Sequence, residues 1–424
     1  MYSGHKDLGQ CRICGSGNTE FLISFGQQPS SCDLPLNPSG ECRTYDLSLG
    51  HCTACGYVFI TAPIPPEAIY SNGYWPTSSN PPEHAHWLVE TVTARYTSDT
   101  SDFILDVGSN DGFLLRLIRE LGYTNLLGVE PSKQCASLAE QKGVSTINRY
   151  FDAKSAQQIK SKYGRPKMII CRQVVEHVLD PNAFIAEMRG LMSRDSILVL
   201  EFPSFEITAR KGDISTIWEQ HVSYFTLESM SLLLAQHDLQ VIHHNYLEHG
   251  GGSLFLVAGP GRGNVPKRCA SSIAEMFKKT ALCNLAIAND LFKKLCSGGG
   301  KVTAWGAGSR GISFLNFSDT ARFVDFIIDD DPNKAGRYLA KSGIPIHSSD
   351  RLHEEMPRYC VILPLRSKKI EHRLMINHAH YEQNGGAFIE LFPGDMFYAP
   401  LVEEKYIQTN QSGVVAPISA NMEW

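Results

Sequence analysis

The sequence predicts an α/β protein: two doubly wound domains behind a small cysteine-rich module. Three observations carry this. Short apolar runs alternate with helical stretches in two separate series, a Gly/Pro-dense break divides the series, and six of the twelve cysteines fall before about residue 70. Apolar runs bounded by turns and separated by helices indicate βαβ units and a buried parallel sheet.

Residues 1–70 lack helical periodicity and are rich in Gly, Ser and Pro, as expected of a loop-rich module that needs a staple. Residues 71–260 hold the first series, with strands expected at Ile104–Val107, Leu126–Val129, Met168–Cys171 and Ile197–Leu200. The break is Gly259-Pro260-Gly261-Arg262-Gly263-Asn264-Val265-Pro266. Residues 261–424 follow, with a long helix from about Ser271 to Leu295 and strands at Val302–Trp305, Phe326–Ile328, Val361–Leu363 and Phe388–Glu390. Two doubly wound domains are the simplest arrangement of these elements.

Bulk properties narrow the function. The 424 residues suit two or three domains, and 43% hydrophobic with 20% charged residues is ordinary for globular chains. A net charge of −5 gives no reason to expect a nucleic-acid partner. No run of about 18 apolar residues predicts a membrane span, and no apolar run after Met1 reads as a secretion signal. Cytoplasmic residence is the expectation, with the cysteines reduced or bound to metal.

Cys11-Arg12-Ile13-Cys14 and Cys52-Thr53-Ala54-Cys55 are two CxxC knuckles, each followed by glycine. A two-residue spacer lets both thiolates of a knuckle reach one tetrahedral ion. Cys11, Cys14, Cys52 and Cys55 are therefore the expected ligands of a structural Zn2+. Cys32 and Cys42 are read as plain thiols.

The segment Asp106-Val107-Gly108-Ser109-Asn110-Asp111-Gly112 follows an apolar strand and opens a helix. Its glycines let backbone approach a ligand closely. Glu130, 24 residues after Asp106, ends the next strand, where a carboxylate can accept ribose hydroxyls. This pattern resembles the class I S-adenosylmethionine (SAM)-dependent methyltransferases. The resemblance implies that Asp106, Gly108, Asn110 and Gly112 form the first cofactor motif and that Glu130 binds ribose. It also places Phe151 near the adenine and Gln173 within reach of the cofactor.

Two histidine segments stand out: Gln173-Val174-Val175-Glu176-His177-Val178, at the carboxyl end of a strand, and Trp218-Glu219-Gln220-His221-Val222-Ser223-Tyr224. Cysteine knuckles, cofactor motif, histidine segment, His249-Gly250-Gly251-Gly252-Ser253, and Trp305-Gly306-Ala307-Gly308-Ser309-Arg310-Gly311 occur in that order. Over nearly the whole chain this order resembles the deoxysugar C-methyltransferases that act on nucleotide-linked 4-ketosugars. The resemblance implies proton removal beside a ketone and attack of the enolate on the SAM methyl group. It assigns acid/base chemistry to His221, oriented by Glu219, an oxyanion-donor role to His177, and a lid role to Tyr74. Where that family has Tyr-x-Glu-His, this chain has Trp218-Glu219-Gln220-His221. Trp218, Gln220, Tyr224, His249 and Gly251 are the expected substrate contacts. Ser309 and Arg310 at a helix start favour a substrate phosphate. Methylation of oxygen, or of a non-sugar acceptor, is the alternative.

Overall fold

The computed structural model describes residues 8–31, 33–40, 42–64, 77–79, 81–263, 272–363 and 373–390. Tyr74 and Cys32 lie outside them.

Along the chain the first elements are β1 (Thr19–Pro29), β2 (Thr44–Cys52), β3 (Val58–Ile60) and α1 (Ala85–Tyr96). The first α/β series follows as β4 (Ile104–Val107), α2 (Phe113–Glu120), β5 (Leu126–Val129), α3 (Lys133–Gln141), β6 (Thr146–Ile147), α4 (Ala153–Lys162), β7 (Met168–Arg172), α5 (Pro181–Leu191) and β8 (Ile197–Pro203). Then come α6 (Phe205–Lys211), β9 (Ser223–Tyr224), α7 (Leu227–Ala235), β10 (Leu239–Leu247) and β11 (Ser253–Pro260). The last part holds α8 (Ser272–Cys296), β12 (Val302–Trp305), α9 (Ser309–Phe317), β13 (Ile327–Ile328), β14 (Ile346–His347), α10 (Asp350–Glu355), β15 (Tyr359–Ile362), α11 (Ala379–Gln383) and β16 (Ala387–Glu390).

Three sheets result. The central one has order β10-β11-β8-β7-β4-β5-β6. Strands β4 to β8 run parallel, and β11 and β10 close one edge antiparallel. Order reverses between β4 and β7, so their carboxyl ends open a crevice. The strands β4 and β7 are buried along nearly their whole length, as a sheet covered on both faces requires. The last sheet, β14-β13-β12-β15-β16, is wholly parallel among its described strands. The helical stretch expected from about Ser271 is α8, and its boundaries agree with that expectation to within a residue.

The cysteine-rich part is less separate than its composition implies. Its sheet, β1-β2-β3-β9, takes its fourth strand from the histidine segment, with Phe59 paired to Ser223 and Val58 to Tyr224. The Tyr57 hydroxyl meets Ser223 Oγ at 2.6 Å, and Asn182 Nδ2 donates to the Arg12 carbonyl at 2.6 Å. Cys11, Cys52, Tyr57 and Phe59 share one apolar core with Phe202, Phe225 and Leu234.

The helix α8 clamps the last part to the centre. Thr280 Oγ1 donates to the Ala209 carbonyl (2.7 Å) and Asn284 Nδ2 to that of Lys211 (2.7 Å). Gly212 permits this approach. Its φ is +60°, and a Cβ there would lie 2.6 Å from the Thr280 backbone.

Candidate active site

A cavity of about 790 Å3 opens at the carboxyl ends of β4, β5 and β7, within the range of about 300–1,000 Å3 usual for cofactor sites. Gly108 and Asn110 form one wall, Glu130 another, and Phe151, Gln173 and His177 complete it. Gly108 (φ +77°) packs so closely on Val174 that a Cβ would sit 2.3 Å from Val174 Cγ2. Only glycine fits there. Asn110 and Gln173 also adopt positive φ, +51° and +53°, a strain that clusters at ligand sites.

Glu130 accepts the Asn110 amide at 2.9 Å and the Ser132 amide at 2.7 Å. Burial raises its pKa and these two amides oppose the rise. Each carboxylate oxygen retains a lone pair for a hydroxyl. Asn110 Oδ1 accepts the Thr77 amide at 2.9 Å, which ties residues 77–79 to the loop. A cavity of this size, a glycine that no other residue can replace and an acid at the second strand's end fit SAM. Phe151 stands edge-on to Phe184, ring centroids 5.6 Å apart, as a flat wall.

Two motif residues are not on this wall. Asp106 lies beneath it, because successive strand residues face opposite sides and Val107 takes the cavity side. Burial pushes Asp106 up to about 7, with Arg172 opposing. Gly112 starts α2 at φ +72° against Val144 and supports the loop from behind.

A second cavity of about 340 Å3 adjoins the first. Gln173, His177 and Gln220 line both. His221, Trp218, Glu176 and, from the last domain, Ser309 and Arg310 line only the second. The His177 and His221 rings stand edge to face at 4.9 Å, and Trp218 lies 4.2 Å from His221. Burial lowers both histidine pKa values, His177 to about 4 and His221 well below the usual range. Both rings are therefore neutral near pH 7. A neutral imidazole can take a proton.

Several expected roles are corrected by this geometry. His177 Nδ1 donates to the Gln220 carbonyl at 2.8 Å. A carbonyl only accepts, so the neutral ring carries its lone pair on Nε2 and cannot serve there as an oxyanion donor. Glu219 does not orient His221. Its Oε1 accepts from Ser30 Oγ (2.9 Å), Ser31 N (3.0 Å) and Ser31 Oγ (3.0 Å), fastening the histidine segment to the N-terminal sheet. Arg310 is not held open for a phosphate. It forms a 2.5 Å ion pair with Asp213, its Nε donates to Ser215 Oγ at 3.1 Å, and it also binds the Gly250 carbonyl.

Tyr224 packs on Phe205 in the core, 5.8 Å between rings, and stands edge-on behind His221 at 6.4 Å without reaching the second cavity's wall. His249 and Gly251 are also absent from its wall. His249 stacks 4.9 Å from His84, and Gly250 faces the cavity instead. His84 and Arg172 hold the buried carboxylate of Glu201 at 3.1 and 2.6 Å. Burial alone would raise Glu201, but Arg172 and His84 overcome it and keep it ionised. Sequence reasoning missed this cluster, since nothing local links residues 84, 172 and 201.

The four knuckle cysteines converge. Cys11 and Cys55 Sγ are 3.6 Å apart, as are Cys14 and Cys52, and all four sulfurs lie within 4.8 Å of one another. Tetrahedral zinc with Zn–S of about 2.3 Å places sulfurs about 3.8 Å apart. The set fits such an ion and leaves no open coordination position.

Comparison with known proteins agrees. Three family models match in series: a zinc binding domain over residues 11–70, a methyltransferase domain over 84–244 and a C-methyltransferase C-terminal domain over 268–393. C-methyltransferase NovU of Streptomyces niveus is 24% identical over 410 residues, covering 92% of this chain and 96% of NovU. Solved structures sharing part of the fold include magnesium protoporphyrin IX methyltransferase (ChlM) from Synechocystis PCC 6803 with bound SAM, 17% identical. That match covers 42% of this chain and 79% of ChlM, with a TM-score of 0.32. The plantazolicin methyltransferase BpumL is 15% identical over 44% of this chain and 88% of its own, with a TM-score of 0.36. At these scores the two structures add no weight, and the assignment rests on the family models and the full-length relative.

The fold and the first cavity define a class I SAM-dependent methyltransferase. The three models, met in this order, and the likeness to C-methyltransferase NovU over nearly the whole of both chains make the chain similar to zinc-containing C-methyltransferases. No helix among the described residues is long and apolar enough to cross a membrane.

Proposed function

We propose that the protein C-methylates a small nucleotide-linked ketosugar through an enolate, with His221 as the base. The observation that carries this reading is the second cavity: two neutral imidazoles, one on the wall it shares with the cofactor cavity and one beside it. S-adenosylmethionine bound in the first cavity supplies the electrophilic methyl group.

Gly108 and Asn110 hold the cofactor's amino-acid end and Glu130 its ribose hydroxyls. His221, packed at a tilt against Trp218 and hydrogen-bonded to the Thr216 backbone, takes the proton from the carbon beside the ketone. Gln173, His177 and Gln220 hold the acceptor carbon at the shared wall, which supplies the alignment that methyl transfer requires. Ser309 and the α9 amino terminus close the far side, where the substrate's charged part lies. The four-cysteine ion is zinc and structural. The cytoplasm is the compartment.

The test is where a 13C-labelled methyl group ends when a panel of nucleoside-diphosphate 4-ketosugars is offered. Label on a carbon next to the carbonyl is the expected result. Label on oxygen, or none on any sugar while SAM still binds, rejects the reading.

A further inference from the structure

Glu176 is the one carboxyl group on the second cavity's wall among the described residues, and no step above uses it. Its residue is 2% exposed, yet beyond a weak contact with its own backbone amide neither carboxyl oxygen has a hydrogen-bonding partner from any other residue. It lies 3.9 Å from His177 Nε2 and within 4.8 Å of the nearest His221 nitrogen. An ionised carboxylate so placed would cost several kcal/mol. The group is therefore neutral. A neutral carboxylic acid has an O–H that needs an acceptor; the nearest protein acceptor, His177 Nε2, is beyond hydrogen-bond range at 3.9 Å, which leaves the O–H for what occupies the cavity.

We infer that Glu176 is a further catalytic residue, a carboxylic acid that donates a hydrogen bond to the oxygen of the enolate. This rests on the reading of the site given above. The proton leaves the carbon for His221, and the C–H electron pair moves into the carbonyl to leave charge on oxygen. Glu176 keeps its proton and shares it with that oxygen. As the carbon takes the methyl group, the carbonyl re-forms, the hydrogen bond weakens, and the sulfonium becomes a neutral thioether. His221 then releases its proton to solvent. A donor aimed at charge that develops only during reaction stabilises the transition state over the ground state. The role also fills the gap left by His177, whose cavity-facing nitrogen has no proton to give.

The groups facing Glu176 are His177 on its own turn, His221, Glu201 on β8, Cys171 on β7 and Arg310 across the cavity. Burial raises Glu176 to about 8, its own backbone amide opposing and Glu201 adding to the rise. The acid is present below that pH and is lost above it, so turnover falls on the alkaline side.

The experiment compares full-length wild type with Glu176→Gln and Glu176→Leu, using a ketosugar nucleotide that wild type methylates. SAM binding serves as the check on folding, since Glu176 is not on the cofactor wall. Glu176→Gln keeps a neutral donor and is expected to retain turnover within about tenfold and to lose the alkaline limb. Glu176→Leu is expected to lose about 10²–10³-fold in kcat. An alkaline limb unchanged in Glu176→Gln, an inert Glu176→Gln that still binds SAM, or a fully active Glu176→Leu overturns the inference while leaving carbon methylation standing. Methyl label on oxygen in the wild type overturns both.

Discussion

His221→Ala is expected to lower kcat by about 10²–10⁴-fold, the usual contribution of a positioned general base. That is roughly 3–5 kcal/mol of barrier. SAM affinity should hold, because His221 lines only the second cavity. The fold should hold too, since the neighbouring His177 ring is fixed from elsewhere by the Gln220 carbonyl. Single-turnover methyl transfer and SAM titration on the same preparation check both parts. A loss below about tenfold would move the base to His177, whose Nε2 lone pair is fixed by the hydrogen bond at Nδ1.

Cys52→Ser is expected to act on the whole molecule. Structural zinc stabilises small domains by about 10–16 kcal/mol in isolated fingers. Here the cluster sits within a core that includes Phe202, Phe225 and Leu234. Losing one of four ligands should therefore release the ion and destabilise more than the first 60 residues. The pairing of β3 with β9 and the Glu219 contacts to Ser30 and Ser31 carry the damage to the histidine segment. A fall in Tm on the order of 10 °C is expected, from several kcal/mol at about 2–4 °C each. Metal content should drop to near zero and turnover should fall with it. Retained metal or an unchanged Tm would mean that the four sulfurs do not form one site. Cys360→Ser makes a useful control, being buried in the last domain away from the cluster.

The legible part of this protein was local. Strand positions, the glycine loop with Glu130 behind it, and the two knuckles each follow from a few adjacent residues, and spacing alone brings four sulfurs together. The roles that needed correction depend on contacts between distant segments. Glu219 was expected to serve His221 because the two are neighbours in sequence, but its carboxylate turns toward Ser30 and Ser31, nearly 190 residues earlier. Arg310 was read as a phosphate ligand at a helix start. Asp213, 97 residues before it, is buried and needs a cation, and the two neutralise each other. Asp106 failed as a wall residue through strand alternation, which could have been applied to the sequence. Glu176 stood in plain view beside His177. Its burial with no partner from another residue is a property of the packed elements around it and leaves no mark on the sequence.

The central claim is that this site makes an enolate. The most direct measurement is deuterium wash-in from D2O at the carbon beside the ketone, with S-adenosylhomocysteine in place of the methyl donor. Wild type is predicted to exchange that hydrogen without methylating, and His221→Ala to exchange about 10²-fold or more slowly. Methyl transfer with SAM but no wash-in at any such carbon would contradict the account and point to methylation of oxygen.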